Sequence, residues 1–153
     1  MTTESLEAEI RARIEEWAIA TRAKDVDRIM ASYAPGTLSF DCHSQLQFKG
    51  AAALRQQLEA CMPCMQGPMR FEIHDLDIAA HGDVAFGHYL ARYGATGPGG
   101  EQHSGWLRVT VCLRKLGSEW LIVHDHCSMP FDPQSGKALL DLAPEESERA
   151  SAA

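Results

Sequence analysis

The sequence predicts an α+β domain in which about three helices gather on one face of a curved antiparallel sheet. Apolar residues recur at helical spacing near the N-terminus. From Met69 onward the texture changes to long alternating stretches separated by turn residues, and no internal repeat interrupts this order. At 153 residues, 45% hydrophobic and 23% charged, the chain has ordinary globular composition and enough length for one sizeable core.

The elements follow in order. From Leu6 to Ala23, Leu6, Ile10, Ile14 and Trp17 repeat on one helical stripe, with Ala18 and Thr21 beside them and Glu7 and Glu9 in the first turn. Asp25 is placed to N-cap a short second helix carrying Val26, Ile29, Met30 and Tyr33, which Pro35-Gly36 ends. Thr37 to His43 alternates as a strand, with Gln45 to Lys49 as its return. Gly50 opens a third helix, with Leu54, Leu58 and Cys61 on one face and Pro63 at its end. Four longer strands follow: Arg70 to Ala80, Val84 to Gly94, His103 to Arg114 and Trp120 to Ser128. Residues 1–131 are read as one domain, and 132–153 as a loosely held polar, Ala-rich tail.

Charge and composition exclude several classes. A net charge of −7 with 14 scattered basic residues does not suit a groove that tracks phosphates, so no nucleic acid is expected as partner. No apolar run reaches the length of a membrane span, and Met1-Thr2-Thr3-Glu4 lacks leader character. A cytoplasmic address is the expectation. Five cysteines make no disulfide framework in a chain of this length and read as reduced thiols. Cys61-Met62-Pro63-Cys64 has redox spacing but falls at a helix C-terminus, where the dipole opposes a thiolate. His124 and His126 alternate onto one strand face with Trp120 and Ile122, and are read as interface or core histidines. No metal or cofactor is expected.

Three stretches carry a resemblance: Tyr33-Ala34-Pro35-Gly36-Thr37-Leu38-Ser39-Phe40-Asp41, the turn His81-Gly82-Asp83-Val84-Ala85, and Trp120-Leu121-Ile122-Val123-His124-Asp125-His126-Cys127-Ser128. Over about residues 6 to 131 the chain resembles the nuclear transport factor 2-like superfamily. Within it, it is similar to the association (hub) domain of calcium/calmodulin-dependent protein kinase II, its stand-alone bacterial relatives, and the SnoaL-like and ketosteroid isomerase-like proteins. That resemblance implies a cone: a curled sheet with helices across its mouth and a pocket inside.

It also implies which strand faces look inward. Tyr89, Ala91, Thr110, Asp125 and Cys127 match pocket positions, and Trp106 shares Thr110's face by alternation. Phe86, Leu90, Leu107, Val109, Val111, Leu113, Trp120 and Ile122 would then form an apolar outer face, too large for a monomer to leave in water, so a homodimer packed sheet on sheet is expected.

Asp41 matches the acidic position that abstracts a proton in ketosteroid isomerases, and a carboxylate in an apolar cone is tuned toward general-base work. Asp125 needs a partner (His43, Arg108 or a ligand donor) and could complete a pair of acids with separated pKa values. His43 could shuttle the proton, while Trp17 and Tyr33 close the helical side. The family's isomerases use a tyrosine and a protonated aspartic acid as oxyanion donors; Trp17 and Thr110 stand there. The hub pocket gathers arginines where this chain has Ala91, Thr110 and Cys127. The expected ligand is therefore small, neutral and partly hydrophobic, and the expected activity that of an isomerase or lyase using an aspartate base. The alternative is a non-catalytic ligand-binding or hub-like oligomerisation module.

Overall fold

The computed structural model describes residues 2–144. The N-terminal helix, α1 (Thr3–Arg22), buries Ile10, Ile14, Ala18 and Thr21, the stripe expected from spacing, and Thr2 caps it by accepting the Ser5 N–H at 3.2 Å. Asp25 caps α2 (Val26–Met30), its carboxylate accepting the Arg28 N–H at 3.1 Å.

The first strand, β1 (Tyr33–Phe40), begins earlier than the alternation suggested. Pro35-Gly36 does not end a helix there but falls inside a register shift between Tyr33 and Leu38, where β1 runs parallel to the last strand. The return strand β2 is only Phe48–Lys49. Gly50, at φ +86°, supplies a backbone that a side chain would disfavour, and opens α3 (Ala51–Cys61), followed by a 3₁₀ turn over Met62–Cys64.

The remaining chain is a meander: β3 (Gln66–His81), β4 (Val84–Thr96), β5 (Gln102–Leu116) and β6 (Glu119–Ser128). The six strands form one open sheet in the order β2-β1-β6-β5-β4-β3, antiparallel except where β1 meets β6. Two irregularities bend it. Asp75 adopts φ +56° within a register shift of β3 between His74 and Asp77, and one extra residue, Val123, is accommodated in β6 between the pairs Cys112–His124 and Leu113–Ile122.

Alternating burial shows which side chains of each long strand face the helices. On β4, Ala85, Tyr89 and Ala91 are buried against them while Phe86 stays 49% exposed. On β5, Leu107, Val109, Val111 and Leu113 belong to the core, whereas Arg108, Thr110 and Arg114 are exposed. The expectation for β5 is thus reversed: Trp106 and Thr110 lie on the outer, convex face and do not line the interior. The inward or outward choice was carried over from the resemblance, and only the alternation along the strand was intrinsic to the sequence.

On β6, strict alternation put Trp120 and Ile122 on the face opposite Asp125 and Cys127. Val123 shifts the phase by one residue, so that Trp120 and Ile122, each 3% exposed, point inward, as do Asp125 and Cys127 farther along. Of the eight residues assigned to an apolar outer patch, only Phe86 and Leu90 remain outside. They sit among His88, Arg92, Trp106, Arg108 and Thr110, so the apolar argument for a sheet-on-sheet dimer loses most of its area.

Beyond β6, Phe131 bridges Ala138, Asp132 N–H donates to Lys137 O at 2.8 Å, and Leu139 N–H donates to Pro130 O at 2.8 Å. This closed turn brings Leu140 against Gly105, where a Cβ would stand 3.1 Å from the Leu140 carbonyl. Residues 145–153 of the expected tail lie outside the described residues.

The face reversal on β5 is testable by urea denaturation. Leu113→Ala, at a side chain only 1% exposed, should cost about 2–5 kcal/mol. Thr110→Ala should change stability by no more than about 0.5 kcal/mol. Equal costs at the two positions would contradict the assigned faces.

Candidate functional site

Between the concave sheet face and the helices lies a cavity of about 390 Å³. Ile14 and Trp17 of α1 and Leu54 and Leu58 of α3 close its helical side. Tyr89 and Tyr93 of β4, with Leu107, Val109 and Val111 of β5, form the opposite wall. Met62, Met65 and Met69, around the turn into β3, line another side. The wall is overwhelmingly apolar, as small-molecule sites tend to be.

Asp125 is the main polar feature of the interior. The Tyr33 hydroxyl donates to its Oδ2 at 2.6 Å, and the Ser39 hydroxyl donates to its Oδ1. Each partner comes from β1, which the parallel register lays beside β6 with Ser39 opposite Asp125. Burial raises the Asp125 pKa, and the nearby Asp41 charge adds to the rise; the Ser39 and Tyr33 hydrogen bonds offset part of it. Burial, followed by the Asp125 charge, likewise lifts Tyr33 well above the usual phenol value and pushes Tyr89 up. Both phenols therefore stay protonated and available as donors.

Trp17 packs edge-on against Phe71 with ring centroids 5.2 Å apart. Its buried Nε1–H lies near the Tyr33 hydroxyl but makes no hydrogen bond of good geometry. An unpaired buried donor costs about 1–3 kcal/mol, which an acceptor on a ligand would relieve.

Asp41, Cys42 and His43 lie where the chain leaves β1. The Asp41 Oδ1 accepts the Cys42 N–H at 2.7 Å, and Oδ2 stands 3.7 Å from His43 Nε2. Cys127 neighbours Cys42, and their interaction holds Cys42 below the usual thiol value and drives Cys127 above it.

Of the residues expected at a site, the cavity brings together Trp17, Tyr33, Asp41, His43, Tyr89, Asp125 and Cys127. Ala91 is fully buried on the same sheet face between Tyr89 and Tyr93. Trp106 packs outside at a tilt against His74, ring centroids 5.0 Å apart, and Thr110 is exposed. The partner expected for Asp125 is neither His43 nor Arg108, which bonds Ser128 Oγ on the outer face at 3.1 Å; it is the hydroxyl pair. His124 Nδ1 lies 2.6 Å from Leu38 O, and both His124 and His126 pack edge-on against Phe40.

Sequence reasoning passed over Ser39 as a functional group, although it lay in step with Asp41. It also missed the methionine wall, for which Met62-Pro63-Cys64-Met65-Gln66-Gly67-Pro68-Met69 was the available signal.

A family model for the SnoaL-like domain matches residues 10–132. The chain belongs to the SnoaL-like domain family. Its fold is that of an NTF2-like protein of unknown function from Pseudomonas putida, 41% identical, with a TM-score of 0.86 over 94% of this chain and 100% of that one. Two more distant structures share the fold of this SnoaL-like chain. One is a ketosteroid isomerase-like protein from Erwinia carotovora, 18% identical, with a TM-score of 0.69 over 79% of this chain and 93% of that one. The other is a candidate dehydratase of the NTF2-like family from Streptomyces avermitilis, 12% identical, with a TM-score of 0.76 over 84% and 99%. No curated protein matches significantly. No helix among the described residues is long and apolar enough to cross a membrane.

The raised Asp125 pKa fixes a sign. The folded SnoaL-like chain holds this proton more tightly than the unfolded chain. Stability therefore falls as pH climbs from the ordinary aspartate value through the raised folded one. Asp125→Asn removes that loss. Its thermal midpoint, followed by circular dichroism, should gain on the parent's as pH rises above the ordinary aspartate value of about 4. A difference that stays constant with pH would contradict the raised value.

Proposed function

We propose that this SnoaL-like chain is a small-molecule isomerase or lyase in which Asp125 moves a proton on a neutral, largely apolar substrate. The observation that carries this reading is a buried carboxylate, raised in pKa and held by two hydroxyl donors, on the wall of an apolar cavity. A carboxylate with a raised pKa is a better proton acceptor near neutrality than one in water. Asp41, the base expected from the sequence, is less suited: its side chain is 26% exposed and one oxygen is tied to the Cys42 amide.

In this mechanism Asp125 takes a proton from a carbon beside a carbonyl or a leaving group. Tyr33 and Ser39 hold the carboxylate in one orientation, so no reorganisation is needed as it reacts. The negative charge that develops on the substrate oxygen meets donors already in place: the unpartnered Trp17 Nε1–H and the Tyr89 hydroxyl. Asp125 then returns the proton to a neighbouring carbon in an isomerase, or a leaving group departs in a lyase. The isomerase-like and dehydratase names of the two fold neighbours agree with this reaction class. The open cavity favours it over a hub-like module whose interior would be filled by side chains.

Turnover across a panel of enolisable ketones, hydroxy-ketones and epoxides tests the reading. Asp125→Asn should lower kcat/KM by about 10²- to 10⁴-fold. Tyr33→Phe removes a hydrogen bond that lowers the Asp125 pKa, so the acidic limb of the pH–rate profile should move to higher pH. Full activity in Asp125→Asn would overturn the assignment.

A further inference from the structure

The residues that leave β1 form a second constellation that the proton chemistry does not use. A carboxylate oxygen of Asp41, the Sγ of Cys42 and a ring nitrogen of His43 lie within 4.8 Å of one another. Cys127 of β6, one residue beyond the Phe40–His126 pair, lies beside Cys42 but outside that cluster, and a rotation of its side chain is needed to bring the thiol in as a fourth ligand. All four side chains line the cavity.

In Asp41 and His43, part of the polar group is tied and one donor atom is left over. Asp41 Oδ1 is taken by the Cys42 N–H, leaving Oδ2. His43 Nδ1 is engaged by Ser44 Oγ at 3.1 Å, leaving Nε2, and Ser44 Oγ in turn accepts the Gln57 Nε2–H of α3 at 3.2 Å. Such outer contacts orient a ligating imidazole and select its tautomer. The two left-over atoms, Asp41 Oδ2 and His43 Nε2, are 3.7 Å apart, too far for a hydrogen bond. Two ligands bound at about 2.1 Å to one tetrahedral ion stand about 3.4 Å apart, so a small inward movement would satisfy both.

The donor set narrows the ion. Two thiolates and an imidazole are poor company for magnesium or calcium, which take oxygen ligands. A set of two sulfurs, one nitrogen and one oxygen suits a borderline-soft divalent ion that accepts tetrahedral geometry. We propose that Asp41, Cys42, His43 and Cys127 form a four-coordinate zinc site joining the segment after β1 to β6. Binding would release the two thiol protons as the cysteines become ligands. The ion would then clamp one border of the cavity.

Cobalt(II) is the probe, titrated into the full-length, reduced, metal-stripped chain. The parent should bind one equivalent, with the cobalt–thiolate charge-transfer band and the intense visible bands of a tetrahedral centre. Cys42→Ser and Cys127→Ser should each weaken or abolish the charge-transfer band. His43→Ala, at a side chain 56% exposed and so neutral for folding, should weaken zinc in a chelator competition at least 10-fold. Gln57→Ala, which acts on the ring only through Ser44, should weaken it less than His43→Ala does. Cys64→Ser, at an exposed thiol away from the cavity, should change nothing. No charge-transfer band in the parent, or the same band in Cys42→Ser and Cys127→Ser, would overturn the site. So would zinc affinity unchanged in His43→Ala, which decides the matter even if Cys127→Ser fails to fold. Asp125→Asn should keep the cobalt spectrum while losing turnover, so the two proposals fail independently.

Discussion

Keeping Asp125 buried is the constraint around which the interior of this chain is arranged. A carboxylate withdrawn from water costs several kcal/mol unless its oxygens find donors. Here those donors are hydroxyls, from Tyr33 and Ser39, and no cation among the described residues forms an ion pair with it. Hydroxyls satisfy the oxygens without neutralising the charge. Desolvation therefore still wins, and the pKa rises. An arginine in the same place would have settled the charge and lowered the pKa instead. The parallel contact between β1 and β6 follows from the same demand, since only that register sets Ser39 across from Asp125.

Val123 is the second determinant. Without an extra residue in β6, the inward positions of its first half and its second half would fall on opposite faces. Either Trp120 and Ile122 or Asp125 and Cys127 would then have to point out into water. The bulge lets one strand anchor the core at one end and furnish the cavity at the other. Through it, local backbone geometry is linked directly to the chemistry of the site.

Much of the fold was legible because its signals are local. The Ile10, Ile14 and Ala18 stripe, the Asp25 cap and the four long strands depend on spacing and on residues close in sequence. Two things were not legible. The Val123 bulge leaves no mark in a run that alternates acceptably with or without it. The concave side of β5 is chosen by curvature and by the helices packed against it, which residues such as Leu107 and Thr110 do not encode by themselves. Hence Trp106 and Thr110 were placed inside and the Leu107–Leu113 row outside, the reverse of the structure. In the site, the acids and Tyr33 were visible as residue types. The partnership of Asp125 with Ser39 and Tyr33 depended on a register between strands about 90 residues apart in sequence.

The methionines along one wall of the cavity bear on what it can admit. Met62, Met65 and Met69 are unbranched, and each thioether chain turns about several bonds at little energetic cost. That side of the chamber can reshape itself around guests of different outline while the backbone stays still. The wall of β-branched Val109 and Val111 has few rotamers to offer and holds its contour. Such a chamber keeps its shape on the stiff side, next to Asp125, since Val111 pairs with Asp125 across the sheet.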